Sequence, residues 1–173
     1  GAPFWIALPG AMLVTGLAPG CLTLEVTESS AMREAEKTIA NLRDLRTLGV
    51  RLALDDFGTG YSSLSHLREL PIDVLKIPKT FVDGLHGETF DPILAQAIVG
   101  LASSLRLACV AEGIEDAKQA WKLAKLGCEM GQGHLFGHPL AAETIGDYLR
   151  SRSAAPLDLQ AWIEEHRHLL KPP

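Results

Sequence analysis

The chain has 173 residues, 47% of them hydrophobic, which is about one domain and long enough to bury a core. Its net charge of -5 excludes a general attraction for nucleic-acid backbone or acidic lipid, so a polyanionic substrate would need metal ions or local cations. Three scattered cysteines form neither a disulfide framework nor a ligand cluster, and they suit a reduced, cytoplasmic setting.

No apolar run reaches the roughly 18 residues of a membrane span. The start is apolar but lacks a basic n-region and is interrupted by Pro9-Gly10, so it does not read as a signal peptide. Residues 1–15 are expected to be a weakly anchored remnant, and Met12 to Leu17 reads as a short helix end. Leu22, Leu24 and Val26 alternate with Thr23, Glu25 and Thr27, a strand signal. Glu25 sits inside that strand and Glu28 just beyond it. A carboxylate there must be paired or metal-bound, unless it lies on the solvated face of an edge strand.

Glu34 to Leu48 carries Ile39, Leu42, Leu45 and Leu48 at helical spacing, with Gly49 as its C-cap and Arg43, Asp44 and Arg46 on a solvated face. Val50 to Leu54 reads as a buried strand. Ser62 to Glu69 reads as a short helix stopped by Pro71. Ile72 to Ile77 is a further apolar run holding Lys76, which needs a carboxylate or an anion, or else snorkels to water. Thr80 to Glu88 reads as loop. Asp91-Pro92 opens the apolar, Ala-rich helix Ile93–Leu105.

Arg106 to Ala111 is the next strand, with Cys109 in its core, and it ends on Glu112-Gly113. Asp116 caps a helix to Leu126 that packs through Trp121 and Leu123 and closes at Gly127. Met130 to Leu135 is a final strand and loop around Gln132, and Leu140 to Leu149 the last helix of the repeating unit. Residues 151–173 are a small-residue linker and an amphipathic tail helix, with Leu157, Trp162, Ile163, Leu169 and Leu170 seeking a surface to dock on.

The stretch Arg51–Leu64 organises the rest. Its strand ends on the adjacent carboxylates Asp55 and Asp56, followed at once by a loop with Gly58 and Gly60. Charge at the end of a buried strand, before a Gly-rich loop, is where an α/β fold keeps its chemistry. Two carboxylates so close repel unless a cation or protons neutralise them. The pair is therefore either a metal site or an ordinary strand-end pair capping a helix. His134/His138 and His166/His168 have neither the spacing nor the context of ligands.

Strand and helix alternate about five times, the order of an α/β (β/α)8 TIM-type barrel whose function sits at the C-terminal ends of the strands. Five units cannot close such a barrel, so the first strand would be an unpaired edge.

RLALDDFGTGYSSL at 51–64 resembles the signature loop of the EAL-domain family, the bacterial phosphodiesterases that cleave cyclic di-GMP. LTLEVTES (22–29), IDVLKI (72–77), VAEGIE (110–115) and GCEMGQGHLFGHPL (127–140) match other family motifs in the same order. The resemblance spans roughly Thr15 to Ile145 and implies that 16–150 is the C-terminal half of such a domain. The name-giving Glu-Ala-Leu motif and the strand bearing a metal-binding Asn are absent. Pro78 stands where the family's Lys-Ile-Asp motif has its Asp.

The resemblance implies roles. Glu25 would bind a first metal, Asp55 would bridge two, and Asp56 and Glu112 would bind the second. Lys76 and Gln132 would act near the attacking water and the phosphate, with Glu112 also counted as catalytic. Glu28 and Glu115 would hold the ligand shell. Oxygen donors of this kind select Mg2+ or Mn2+, and two such ions activate water for in-line attack on a phosphodiester.

One expectation is hydrolysis of cyclic di-GMP to linear pGpG, impaired in this chain alone. The other is a non-catalytic cyclic di-GMP-related binding or protein-interaction module. A second copy or a complementary N-terminal half is the expected partner. Neither a nucleic-acid duplex nor a membrane is expected, since no basic stripe interleaved with aromatics occurs.

Overall fold

The computed structural model describes residues 7–33, 35–60, 64–85, 93–151 and 158–170. It is an α/β fold. Five strands, β1 (Thr23–Thr27), β2 (Arg51–Asp55), β3 (Val74–Ile77), β4 (Ala108–Ala111) and β5 (Met130–Gly131), form one sheet in the order β1-β2-β3-β4-β5. Helices α1 (Leu8–Thr15), α2 (Glu28–Arg33), α3 (Ala35–Thr47), α4 (Leu64–Glu69), α5 (Lys79–Asp83), α6 (Ile93–Leu105), α7 (Ala117–Leu126), α8 (Ala142–Ser151) and α9 (Leu159–Glu165) precede, separate and follow them. The pairs β1–β2, β2–β3 and β4–β5 are parallel, as expected of a partial (β/α)8 barrel.

The chain divides into two compact units: residues 1–76 with 104–107, and residues 77–103 with 108–173. In the first, β2 is the buried strand its apolar run predicts, with Leu52, Ala53 and Leu54 in the core. Helix α3 covers it with Ile39, Leu42 and Leu45, three to four residues apart on one face. Asp73 fixes the start of β3 against β2. Its carboxylate accepts from Leu52 N (2.9 Å), its own N donates to Leu52 O (2.8 Å), and Arg46 pairs with it at 3.3 Å. Arg46 is thus part of a pair rather than free on a solvated face.

In the second unit, α7 begins with a capping box. Asp116 Oδ1 accepts from Gln119 N (2.8 Å), and Gln119 Oε1 accepts from Asp116 N (3.2 Å). The helix closes at Gly127, whose left-handed φ of 91° lets Cys128 N reach Leu123 O. Cys109 and Cys128 are both buried. The tail docks here: Leu159 N bonds Glu129 O (3.0 Å), Gln160 Nε2 bonds Ala124 O (2.7 Å), and Leu159 and Ile163 are buried. Trp162 meets the edge of Phe136 and stacks on His166 at 4.2 Å.

Several expectations are corrected. Pro9-Gly10 does not break α1 but lies in its first turn, where a missing N–H costs nothing. The helix expected from residue 34 is preceded by α2, which starts at Glu28 and is too short to show a period. Thr80 to Asp83, the start of the segment expected as loop, belongs to α5, nucleated by Pro78 (φ -61°), whose carbonyl accepts from Phe81 and Val82. The last strand is only two residues long. Trp121 is exposed on α7 beneath Lys125 rather than packed. The expected opening of α6 by Asp91-Pro92, Ser62 and Ser63, and most of the 151–157 linker lie outside the described residues.

Candidate active site

Strand register decides which side chains of the first unit can meet. Glu25 lies opposite Ala53, two residues before Asp55, and Leu54 lies opposite Leu75, one residue before Lys76. Alternate residues of a strand share a face, so Glu25, Asp55 and Lys76 point the same way. The side chains close this geometry. Lys76 Nζ lies 2.6 Å from Glu25 Oε2 and 3.2 Å from Asp55 Oδ1. The lysine side chain is only 5% exposed, whereas Glu25 is 49% exposed, so the carboxylates carry the site toward solvent. A buried ammonium requires such partners, since without them it would lose its hydration uncompensated. Glu25 is both things at once, half-solvated on an edge strand and ion-paired.

Asp56 follows in a left-handed conformation (φ 55°), a region Asp tolerates better than most side chains. Its N–H donates to Asp55 Oδ1 at 3.0 Å, which orients the Asp55 carboxylate. The loop beyond is held from below by Glu28, buried at the first turn of α2. Glu28 Oε2 accepts from Gly58 N (2.8 Å) and Gly60 N (3.3 Å). A Cβ on Gly60 would stand 3.3 Å from the Glu28 carboxyl, so a side chain there would push that carboxyl back by a few tenths of an ångström.

In the second unit, register again creates the contact. Ala111 lies opposite Gly131, so Glu112 and Gln132 follow side by side, and Gln132 Nε2 donates to Glu112 Oε1 at 2.8 Å. Glu112 N is fixed to Ile77 O (3.0 Å) and Ile114 N to Gln132 O (3.1 Å). Glu115 N donates to Gln119 Oε1 (2.7 Å), while its carboxylate takes Lys79 Nζ at 2.9 Å. Lys79 also pairs with Asp83 at 2.7 Å. These bonds, to Asp83 first and Glu115 second, hold its ammonium above the ordinary lysine range.

Sequence reasoning misses Lys79 and Asp83. Their spacing of four residues is a helical ion-pair signal that disappears once the segment is taken as loop.

The oxygen donors fit Mg2+ or Mn2+ in kind, and Glu25 and Asp55 already converge from two strands on one positive charge, that of Lys76. Among the described residues, no group of three or more His, Cys, Asp or Glu is gathered to hold an ion. The rings of His134 and His138 lie 4.4 Å apart.

A family model described as EAL domain matches residues 8–139. The chain therefore belongs to the EAL-domain family and is related to bacterial cyclic di-GMP phosphodiesterases. Cyclic di-GMP phosphodiesterase NbdA of Pseudomonas aeruginosa is 46% identical over 136 residues, which are 79% of this chain and 17% of NbdA.

The solved PaMucR phosphodiesterase, in a c-di-GMP complex, superposes with a TM-score of 0.78 at 43% identity, over 83% of this chain and 58% of that one. Klebsiella pneumoniae BlrP1, in a manganese/cy-diGMP complex, gives a TM-score of 0.70 at 32% identity, over 76% and 34%. The chain thus spans about a sixth of the length of NbdA and little over half of the PaMucR chain.

Proposed function

We propose that the chain is the later part of an EAL-type phosphodiesterase domain, which adds water across one phosphodiester of cyclic di-GMP to give linear pGpG. The observation that carries this reading is the buried Lys76 ammonium held between Glu25 and Asp55 at the ends of three neighbouring strands. Any buried ammonium needs carboxylate partners, but here the half-exposed Glu25 and the partly exposed Asp55 leave the paired lysine next to solvent. A lysine that meets a phosphodiester or its attacking water needs such placement.

Glu25, Asp55 and Asp56 of the first unit and Glu112 of the second are the carboxylates assigned to Mg2+ or Mn2+. When bound, these ions supply charge compensation and acidify water. Asp56 N–H keeps Asp55 aimed, and Glu28 keeps the loop after it in place. Gln132 orients Glu112 and reaches toward substrate, and Glu115 steadies the turn that follows. The kinship with NbdA, PaMucR and BlrP1, whose names carry cyclic di-GMP and in one case manganese, supports the substrate and the ion. In this layout 1–15 is a remnant, 16–150 the catalytic part and 151–173 an accessory tail, in a cytoplasmic setting.

Among the described residues too few carboxylates are gathered for a full two-metal centre, and the chain alone is expected to be impaired. A second reading, a non-catalytic cyclic di-GMP-related interaction module, is favoured by the apolar surface of the first unit. Leu13 and Val14 of α1 are each 86% exposed, and an open recess of about 280 Å³ lies between β1 and α3. Mn2+-dependent conversion of cyclic di-GMP to pGpG by this chain, followed chromatographically, tests the two. Turnover abolished by chelator upholds the phosphodiesterase. Nucleotide binding with no turnover at saturating Mn2+ favours the interaction module.

A further inference from the structure

We propose that Lys79 is a positioning residue that locks the Glu112–Asp116 turn and thereby aims the Glu112 carboxylate. The inference rests on the reading of Glu112 as a functional carboxylate, but its physical content does not. Glu112 is followed by Gly113 at φ 66°, a residue whose torsions no side chain restrains. The space a side chain would fill is occupied by lysine. A Cβ on Gly113 would meet Lys79 Cγ at 2.5 Å, Cδ at 2.7 Å and Cβ at 2.8 Å. The methylene stem of Lys79 therefore lies directly across the glycine, covering the one joint in the turn.

The stem is fixed at both ends. It springs from the first residue of α5, and its ammonium is shared by Asp83 (2.7 Å) on that helix and Glu115 (2.9 Å) on the far side of the turn. Ion pairs between half-exposed groups add little to global stability, so the value of this one is geometric. It ties α5 to the turn across the glycine. Either side of that joint the turn is held by Ile77 O on Glu112 N and by Gln119 Oε1 on Glu115 N. Gly113 lies between these anchors, with Ile114 N bonded to Gln132 O just beyond it, and the lysine stem steadies the glycine torsions that set where the Glu112 carboxylate meets Gln132 Nε2.

The test uses this chain with Lys79→Ala, which removes stem and charge, Lys79→Met, which keeps an apolar stem, and Lys79→Arg, which keeps the charge. Two readouts by nuclear magnetic resonance need neither metal nor substrate: hydrogen exchange of the Gly113–Glu115 amides, and the resonances of the Gln132 carboxamide that donates to Glu112. In Lys79→Ala the turn amides should exchange about tenfold faster, with α6 amides unchanged. The Gln132 carboxamide should shift toward its solvent position.

Lys79→Met should fall between, and Lys79→Arg should restore both signals. Unchanged turn amides in a folded Lys79→Ala overturn the inference. So does a loosened turn with an unshifted Gln132 carboxamide, since Lys79 would then be structural only. If the Lys79→Ala chain does not fold, Lys79→Met decides the question by the same two signals. Wild-type chain that binds no Mn2+ counts against the phosphodiesterase reading and leaves these two readouts to decide Lys79 independently.

Discussion

Lys76 is the residue on which the chemistry proposed for the first unit turns. It is buried, and both of its carboxylate partners retain access to water. Lys76→Met keeps the apolar stem and leaves Glu25 and Asp55 facing each other without a cation. The expected result is complete loss of any hydrolysis, with stability lowered by about 1–3 kcal/mol, because charged hydrogen bonds are lost and like charges remain. Urea denaturation and turnover of the same sample check both halves, and a folded variant with unaltered turnover would remove Lys76 from the mechanism.

Asp55→Asn keeps the acceptor for Asp56 N but deletes the charge. Mn2+ affinity by calorimetry should fall at least about tenfold, since such sites are tuned by ligand charge. Equal affinity would sink the metal reading. Cys109 is expected to be inert. The hydrogen bond with Cys128 and burial both push its thiol well above the ordinary range, so thiol reagents should modify exposed Cys21 at once and the buried pair only on unfolding.

Glu25, Asp55, Asp56 and Lys76 stand out in the sequence because charge inside or at the end of an apolar run is conspicuous. The Lys79–Glu115 pair does not, because 36 residues separate its members and only the fold brings them together.

At the scale of elements, the tail helix α9 shows what burial pattern does and does not disclose. Its apolar residues imply a docking face, and Leu159 and Ile163 are indeed in the core of the second unit, but nothing in the sequence points to α7 and the start of β5 as the surface. Leu159→Ala should cost about 2–5 kcal/mol, the range for a large buried side chain truncated in a packed site. The denaturation midpoint should fall, and amides of α9 should lose protection before those of β2. A loss below about 0.5 kcal/mol would mean that the tail is a loose appendage.

Long periodic helices such as α3 and α6 and the capped α7 are legible in the sequence within a residue or two. The short ones are not. Helix α2 offers six residues, less than two turns, and α5 depends on Pro78, which stops a strand and starts a helix with the same fixed φ.

For the whole molecule, β1 is an end strand of the sheet among the described residues, and α1 beside it in sequence buries none of its side chains. An edge of this kind is a template for another chain. The proposed partner is a second copy joined at β1, or the complementary N-terminal half. Leu159 and Ile163 of the tail are buried within its own second unit, whereas β1 belongs to the first. Sedimentation should show a dimer that persists on tenfold dilution, and Leu159→Ala should leave it intact. A monomer at every concentration ends the dimer.

The strand order also has a kinetic consequence. Each strand is adjacent in the sheet to the next one along the chain, so every pairing closes a loop of only about 20–30 residues, and no strand must wait for a distant one. As the chain leaves a ribosome, β2 can settle on β1 while β4 is still unmade, and each later strand finds its template already laid down. Assembly in the direction of synthesis leaves one growing edge at a time. Of the five strands, β1 is made first, and among the described residues no later strand covers its outer edge.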